Sequence, residues 1–134
     1  MVVSQLSIFL ENKPGQLSEL VNVLAVYKID LLALSIAEAQ DYGVLRIIVD
    51  QPEQTAKLLR DKGWVCSLTD VLAVTVPDAP GSLTKILSVL ADNNLSLAYS
   101  YAFLSKSQGK ACIILRVEDN ALAAKTLAAA GIEA

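Results

Sequence analysis

The chain contains one short sequence twice. Residues 12–17 read Asn-Lys-Pro-Gly-Gln-Leu, and 66 positions later residues 78–83 read Asp-Ala-Pro-Gly-Ser-Leu. Each copy follows a short apolar run, at 6–10 and 71–76, and precedes apolar residues spaced three and four apart. Proline suits the first helical turn, where its missing N–H costs nothing, and glycine permits a tight turn. Each copy therefore predicts a strand, a loop and a helix.

The duplication extends beyond these loops. Residues 6–49 and 72–115 share 11 identities over 44 aligned positions, including both Pro-Gly pairs. A chain of 134 residues with such a repeat divides into two units of about 65 residues each. We predict one domain at residues 1–69 and a second at 70–134.

Apolar spacing predicts the elements of the first unit, since strands repeat at two and helices at three to four. In order, it indicates a strand at 5–10, a helix from the loop to about residue 28, strands at 29–40 and 44–50, a helix at 51–63 and a strand at 64–68. Residues 41–43 are predicted as the hairpin turn. The order βαββαβ is that of ferredoxin-like folds, with an antiparallel sheet and both helices on one face.

The second unit repeats this order but ends early. It predicts a strand at 71–76, a helix after the loop, a hairpin of strands at 95–104 and 110–117, and a helix at 119–130. The last helix aligns with its counterpart at an offset of 68 instead of 66, which predicts a two-residue insertion near the exit of the third strand.

Three residues follow Gly131, whereas strands usually have about five or six. The fourth strand of the second unit is therefore predicted to be truncated or missing. Its place is beside residues 71–76, and an exposed edge attracts another strand. Two interpretations stay open: the first unit or a second copy of the chain covers this edge, or a very short terminal strand suffices.

Two helices carry apolar stripes that are predicted to face the core. These stripes are Leu17, Leu20, Val21, Leu24 and Tyr27 in the first unit, and Leu83, Ile86, Leu87 and Leu90 in the second.

Composition indicates a soluble protein. The chain is 54% hydrophobic, with a mean hydropathy of +0.48. Its longest apolar run, residues 31–37 with Ser35 inside it, falls far short of the ~20 residues that span a bilayer. We expect a partner subunit, most simply in a homodimer, to cover part of the apolar surface. No secretion signal is recognised, and Cys66 and Cys112 lie singly in strand-like runs. Both are predicted to be buried thiols of a cytoplasmic protein.

Several function classes are disfavoured. A net charge of -3 and a pI near 4.8 provide no basic footprint for nucleic acid. The chain has no histidine, so it lacks Ser-His and Cys-His nucleophile pairs and the commonest metal ligand. No paired carboxylates stand at catalytic spacing. We therefore expect neither catalysis, nor a metal, nor a cofactor.

The duplicated loop within a βαββαβ unit resembles the ACT domain, and the whole chain resembles a stand-alone protein of two ACT domains. This resemblance implies binding of an amino acid or another small metabolite and regulation of an enzyme. It also implies side-by-side pairing of domains, with the ligand between the first loop of one domain and the second strand of its neighbour.

Simple chemistry supports such a site. Helix-start amides attract a carboxylate, while the side-chain oxygens of Asn12 and Asp78 can accept from an ammonium. Turn stabilisation by the same two side chains is the competing explanation. The predicted ligand-binding residues are Asn12, Lys13, Pro14, Gly15, Gln16, Leu17, Leu34, Ser35, Asp78, Ala79, Pro80, Gly81, Ser82, Leu83, Ser100 and Tyr101. For Lys13, a solvated surface position is the stronger expectation.

The second strands differ between the repeats. Tyr99, Tyr101 and Phe103 align with small residues at 33, 35 and 37 of the first unit. A bulge could return these aromatics to the helix-covered core. Alternatively, they lie on the other face, against a partner sheet or an apolar effector.

The sequence supports three functions to different degrees. The sequence favours a non-catalytic amino-acid-binding regulator, with branched-chain or aromatic amino acids as the preferred ligands. The alternative is a regulatory subunit that docks on a separate biosynthetic enzyme such as acetolactate synthase. A small enzyme is the least supported, because a fold alone does not imply activity.

Overall fold

The structure is a computed structural model and describes residues 1–38, 41–104 and 108–134. Its strands are β1 (Val2–Glu11), β2 (Leu31–Glu38), β3 (Tyr42–Val49), β4 (Cys66–Pro77), β5 (Leu97–Ala102) and β6 (Lys110–Val117). Its helices are α1 (Gln16–Val26), α2 (Pro52–Asp61), α3 (Ser82–Asp92) and α4 (Asn120–Ala129).

The chain forms two compact units. The N-terminal unit comprises Ser4–Thr69, and the C-terminal unit comprises Asp70–Ala134 together with Met1–Val3. The sequence repeat, by contrast, assigns residues 1–3 to the N-terminal unit. Each unit combines antiparallel strands with two helices, which confirms the predicted α+β class and the ferredoxin-like repeats.

In the N-terminal unit, β3 pairs with β1 on one side and β2 on the other, with Ile47 opposite both Leu6 and Leu34. The other edge of β1 binds the residues before β4, where the Phe9 N–H donates to the Val65 carbonyl at 3.0 Å. Alternate residues of β1 and β3 point towards α1 and α2, as a strand period of two requires. The buried core is Leu6, Ile8, Leu10, Leu20, Leu24, Leu45, Ile47, Val49, Ala56 and Leu59.

The C-terminal unit repeats this arrangement. β6 pairs with β4 through Leu72 and Leu115, and with β5 through Tyr101 and Ile114. Its buried core is Leu72, Val74, Val76, Ile86, Leu90, Leu115, Val117, Ala123, Leu127 and Ile132. Asp119 caps α4 by accepting from the Leu122 N–H at 3.0 Å. The predicted β6 bounds are confirmed, whereas residues 105–107 of the predicted hairpin lie outside the described residues.

The edge of β4 is covered in two places. The Thr75 N–H donates to the Glu133 carbonyl at 2.9 Å, so the terminal residues form a single bridge where a fourth strand would lie. The Ala73 N–H donates to the Met1 carbonyl at 2.7 Å, and the Met1 ammonium donates back to the Ala73 carbonyl at 3.1 Å. The fourth strand is thus truncated, as predicted.

Three sequence expectations about element bounds are wrong. Residues 64–68 and 71–76 were expected to be separate strands, but Cys66–Pro77 is one continuous strand because Thr69 and Asp70 are themselves extended. Tyr42 and Gly43 belong to β3 and do not form a turn, since they pair with Glu11 and Leu10 of β1.

The third error concerns the two-residue insertion. Ile8 pairs with Leu45, and its repeat equivalent Val74 pairs with Ile113. The offset has therefore already changed from 66 to 68 at the third strand of the unit. The insertion therefore lies in the connection before β6 and not after it. The sequence pattern did not show this, because shifting a strand by two residues leaves its apolar pattern unchanged.

Only part of each predicted helix stripe is buried. Leu20 and Leu24 of α1 and Ile86 and Leu90 of α3 are buried, whereas four other stripe residues are exposed. These are Val21, Tyr27, Leu83 and Leu87.

The aromatic residues of β5 lie on the face opposite the helices. The register shifts between Leu97 and Tyr99, and Tyr99 and Tyr101 then pair with Arg116 and Ile114, which alternate with the core residues of β6. The tyrosine rings stack with centroids 6.5 Å apart. β2 has the equivalent shift, so the bulge belongs to both repeats and does not return these tyrosines to the helix-covered core.

Among the described residues, no helix combines the length and apolar character needed to cross a membrane.

Candidate functional site

Both Pro-Gly loops place a glycine in the left-handed region immediately before a helix. Gly15 precedes α1 with φ +86°, and Gly81 precedes α3 with φ +92°. Within the described residues, neither helix start receives a hydrogen bond from a capping side chain, because the N-cap residue of each helix is this glycine. The positive φ explains why each loop needs glycine, because a Cβ atom makes this conformation costly.

Gly81→Ala is expected to lower the free energy of unfolding by about 1–2 kcal/mol. A Cβ at Gly81 would meet no heavy atom within 4 Å, so the loss would come from backbone strain alone. Urea denaturation followed by circular dichroism would measure it. Gly43→Ala is the control, since its Cβ would make ordinary contacts at 3.5 and 3.6 Å and its φ is not positive. An equal loss in both variants would contradict the backbone explanation.

The helix-start amides are only partly free. The Gln16 N–H donates to the Lys13 carbonyl at 3.4 Å, and the Ser82 N–H donates to the Ala79 carbonyl at 3.3 Å. These two amides are therefore already paired within their own loops. One residue further on, the Leu17 and Leu83 amides have no backbone acceptor within the part of the chain that the structure describes. Each loop therefore keeps donors that can bind an anion.

Equivalent backbone bonds anchor both loops. The Asn12 N–H donates to the Asp41 carbonyl at 3.3 Å, and the Asp78 N–H donates to the Gly109 carbonyl at 2.8 Å. Asp41 and Gly109 are related by the offset of 68. Each loop is therefore attached to the start of the third strand of its own unit.

Lys13 is engaged at the surface. Its Nζ lies 2.6 Å from Glu11 Oε2, and both side chains are exposed. The hydrogen bond and opposite charge of this pair raise the pKa of Lys13 and lower the pKa of Glu11. Exposed pairs of this kind contribute little to stability. Lys13 therefore binds the carboxylate of Glu11, a residue of its own chain, at an exposed position.

A hollow of about 460 Å³ lies beside the second loop, within the C-terminal unit. Its walls are the end of β4, the first turn of α3, the start of β6 and the turn after α4. Ser82 Oγ donates to the Pro77 carbonyl at 2.6 Å and ties two of these walls together. The charged side chains at this hollow are Lys85, Lys110 and Glu133.

A hollow of about 430 Å³ occupies the equivalent place in the N-terminal unit. Its walls are the end of β1, the first turn of α1, the start of β3 and the turn after α2. The aromatic side chains of Phe9, Tyr42 and Trp64 line it. Its charged side chains are Glu11, Glu19 and Lys62.

The two hollows correspond position by position. Residues of the first strand and helix are related by an offset of 66, and those after the insertion by 68. Equivalent lining pairs include Ser82 and Gln16, Lys85 and Glu19, Lys110 and Tyr42, Ile132 and Trp64, and Glu133 and Val65. The repeat has therefore kept the cavity and changed its charge.

A third hollow, of about 280 Å³, lies over the first loop and extends to Ile36 and Glu38 of β2. It collects four predicted residues, which are Asn12, Lys13, Gln16 and Leu17. The C-terminal hollow collects another three, which are Pro80, Gly81 and Ser82. The remaining nine predicted residues do not line these three hollows: Pro14, Gly15, Leu34, Ser35, Asp78, Ala79, Leu83, Ser100 and Tyr101.

The second-strand candidates do not line the hollows at the loops of their own units. Leu34 packs against the N-terminal core, and Ser35 pairs with Arg46. Ser100 pairs with Leu115, and Tyr101 lies on the face opposite the helices. No ligand contact is assigned to these four residues within a single unit.

Sequence reasoning missed the charged residues Lys85, Lys110, Glu133 and Glu19 of the two equivalent hollows. Glu19 and Lys85 each stand two residues after the loop motif, in equivalent positions of the repeat, so their opposite signs were visible in the repeat alignment. Lys110 and Glu133 carried no such signal, because only the fold brings the start of β6 and the turn after α4 to one cavity.

Neither thiol lines the three hollows described above. Cys66 and Cys112 are free and partly buried, and burial raises the pKa of both thiols. Cys66 Sγ donates to the Ala56 carbonyl at 3.6 Å. Within the described residues, no group of three or more acidic or cysteine side chains is arranged to hold a metal ion.

The fold and its cavities define a protein of two α+β repeats in which each repeat has a small-molecule-sized hollow beside a helix start. A family model described as an ACT domain pair matches residues 1–130, and the chain belongs to that family. Comparison with curated proteins found no match.

Solved structures show the same architecture. Protein BT0572 from Bacteroides thetaiotaomicron is 37% identical with a TM-score of 0.91, and the match covers 99% of this chain and 91% of that one. The ligand-free regulatory subunit of aspartate kinase from Thermus thermophilus is 15% identical with a TM-score of 0.69, covering 97% of both chains. The corresponding subunit from Thermus flavus is 13% identical with a TM-score of 0.61, covering 98% and 95%.

Proposed function

We propose that this chain is a non-catalytic regulatory protein whose effector is an amino acid bound at the Pro-Gly loops. One observation carries the proposal: in both units, the loop opens onto a hollow beside a helix start that no side chain caps. Cavities of roughly 300–1,000 Å³ are usual for small-molecule sites. The free Leu17 and Leu83 amides suit an α-carboxylate, and the side chains of Asn12 and Asp78 are the proposed ammonium acceptors.

In this proposal, the protein acts as a homodimer in the cytoplasm. The second strands of one copy, which contain Leu34, Ser35, Ser100 and Tyr101, would lie beside the loops of the other copy, which explains why these residues do not line a hollow of their own unit. Effector binding would then shift the equilibrium between arrangements of the two copies, provided that the effector prefers one of them. Light scattering with and without effector would detect such a change in assembly.

A second candidate is a regulatory subunit that docks on a separate enzyme. The Thermus thermophilus protein, which is a regulatory subunit of aspartate kinase, matches this chain over 97% of both lengths. That likeness supports the view that this fold can serve as a separate regulatory subunit, whichever enzyme is regulated. Copurification of a stable enzyme partner from the native source would favour this candidate over an independent sensor.

Thermal denaturation in the presence of each of the twenty amino acids tests the proposal. A ligand at about 100 times its Kd should stabilise the protein by about 2.7 kcal/mol, and the melting temperature should rise by several degrees. Asp78→Ala is expected to weaken one site and leave the other. If no amino acid raises the melting temperature, the loops have a structural role only; equal loss at both sites would contradict separate loops.

A further inference from the structure

The C-terminal hollow has an excess of positive charge. Lys85 lies on the first turn of α3 and has no ion-pair partner within the described part of the chain. Lys110 Nζ lies 3.9 Å from Glu133 Oε2, and the side chains of this pair are 59% and 74% exposed. Such a loose, hydrated pair leaves both groups able to bind a ligand. The hollow thus presents two cations and one carboxylate.

The N-terminal hollow presents the reverse. Glu19 and Glu11 are its carboxylates, of which Glu11 also pairs with Lys13, and Lys62 is its cation. The reversal arises at equivalent positions, since Lys85 replaces Glu19 and Pro77 replaces Glu11. Two cavities of the same construction and similar volume therefore differ in the charge that they accept.

We propose that the C-terminal hollow binds a dicarboxylic amino acid. The two carboxylates of such a ligand match Lys85 and Lys110. Its ammonium matches Glu133, which takes the role proposed above for Asp78 because Glu133 lines this hollow and Asp78 does not. The apolar side chains of Val76 and Ile132 provide a surface for its methylene groups. This assignment rests on the proposed function, and it changes the ligand class from the branched-chain or aromatic amino acids that the second strands suggested.

The carboxylate of Glu133 distinguishes this ligand from other anions. A phosphate or a simple dicarboxylate would bind the lysines and leave Glu133 facing a like charge. An acidic amino acid satisfies all three groups, because charge-assisted bonds then form with both signs. A basic amino acid would place its second ammonium against the lysines, which is unfavourable.

Isothermal titration calorimetry of the full chain with single compounds tests the proposal. L-aspartate or L-glutamate should bind at least about tenfold more tightly than L-leucine, L-lysine, succinate or inorganic phosphate, since one charge-assisted bond is worth roughly that factor. Lys85→Glu, which installs the residue of the N-terminal repeat, should weaken the acidic ligand by more than about tenfold. Glu133→Gln should weaken L-aspartate and L-glutamate but not succinate.

Lys125→Glu is the matched control. It makes the same charge change on an exposed position of α4 that does not line this hollow. Circular dichroism and urea denaturation would establish that each variant is folded. Equal weakening by Lys85→Glu and Lys125→Glu would overturn the assignment, because it would reflect net charge alone.

Failure of this inference is distinguishable from failure of the proposed function. If neutral amino acids bind as tightly as acidic ones and Lys85→Glu has no effect, the acidic assignment is wrong while amino-acid binding stands. If none of the twenty amino acids binds the wild-type chain, both proposals are wrong.

Discussion

Leu90→Ala is expected to lower the free energy of unfolding by about 2–5 kcal/mol. Leu90 lies on α3, is 2% exposed and packs in the core of the C-terminal unit. Truncation removes buried methyl groups and leaves a cavity that the surrounding side chains only partly fill. Domains of this size are stable by roughly 5–15 kcal/mol, so the loss would be a large share of the total. Urea denaturation followed by circular dichroism would measure it.

Leu87→Ala provides the matched control on the same helix. The substitution is chemically identical, but Leu87 is 39% exposed. Its loss should stay below about 1 kcal/mol, because less apolar surface returns to water and no closed cavity forms. Leu24→Ala, the repeat equivalent of Leu90→Ala, should resemble it. A similar loss for Leu87→Ala and Leu90→Ala would mean that the exposed half of the α3 stripe is covered in solution.

The difference between Leu90 and Leu87 also shows how much the apolar spacing of α3 predicts about burial. Leu83, Ile86, Leu87 and Leu90 form one stripe by spacing, yet only Ile86 and Leu90 are buried. Spacing gives the direction of the stripe. Its buried width depends on how closely the helix approaches the sheet, which the side chains of other elements decide.

Strand existence was predictable, but strand pairing was not. The alternating pattern gave β6 its bounds and indicated a truncated fourth strand in the second unit. It could not place the two-residue insertion before β6, since shifting a strand by two residues leaves the same face apolar. Similarly, Tyr42 and Gly43 carry a turn-like sequence and become extended because β1 pairs with them.

The candidate site was predictable where it is local. The Pro-Gly loops and glycine before each helix follow from adjacent residues, and Gly15 and Gly81 have the left-handed φ that such a loop requires. The charge of the C-terminal hollow was not predictable in the same way. Lys110 and Glu133 lie more than twenty residues apart in sequence, and their approach is a consequence of the fold.

Ile132→Ala is expected to lower the free energy of unfolding by about 2–5 kcal/mol. Ile132 is 5% exposed and packs in the C-terminal core, although it lies in the five-residue segment after α4. Its N–H donates to the Leu127 carbonyl at 3.0 Å, as the N–H of its equivalent Trp64 donates to Leu59 at 2.9 Å. The residues after α4 thus begin as the fourth strand of the other repeat begins, and Ile132 is their buried apolar side chain. Thermal and urea denaturation would measure the loss.

Glu133→Ala is the control for this substitution. The Glu133 side chain is 74% exposed, and its backbone carbonyl accepts from the Thr75 N–H, so truncation keeps the bridge. Its effect should stay within about 0.5 kcal/mol. If Ile132→Ala lowers the free energy of unfolding as little as Glu133→Ala, the residues after α4 contribute little to the stability of the core. If only Ile132→Ala causes a large loss, the buried Ile132 side chain and the Glu133 backbone bridge stabilise the edge of β4, which a full strand covers in other βαββαβ units.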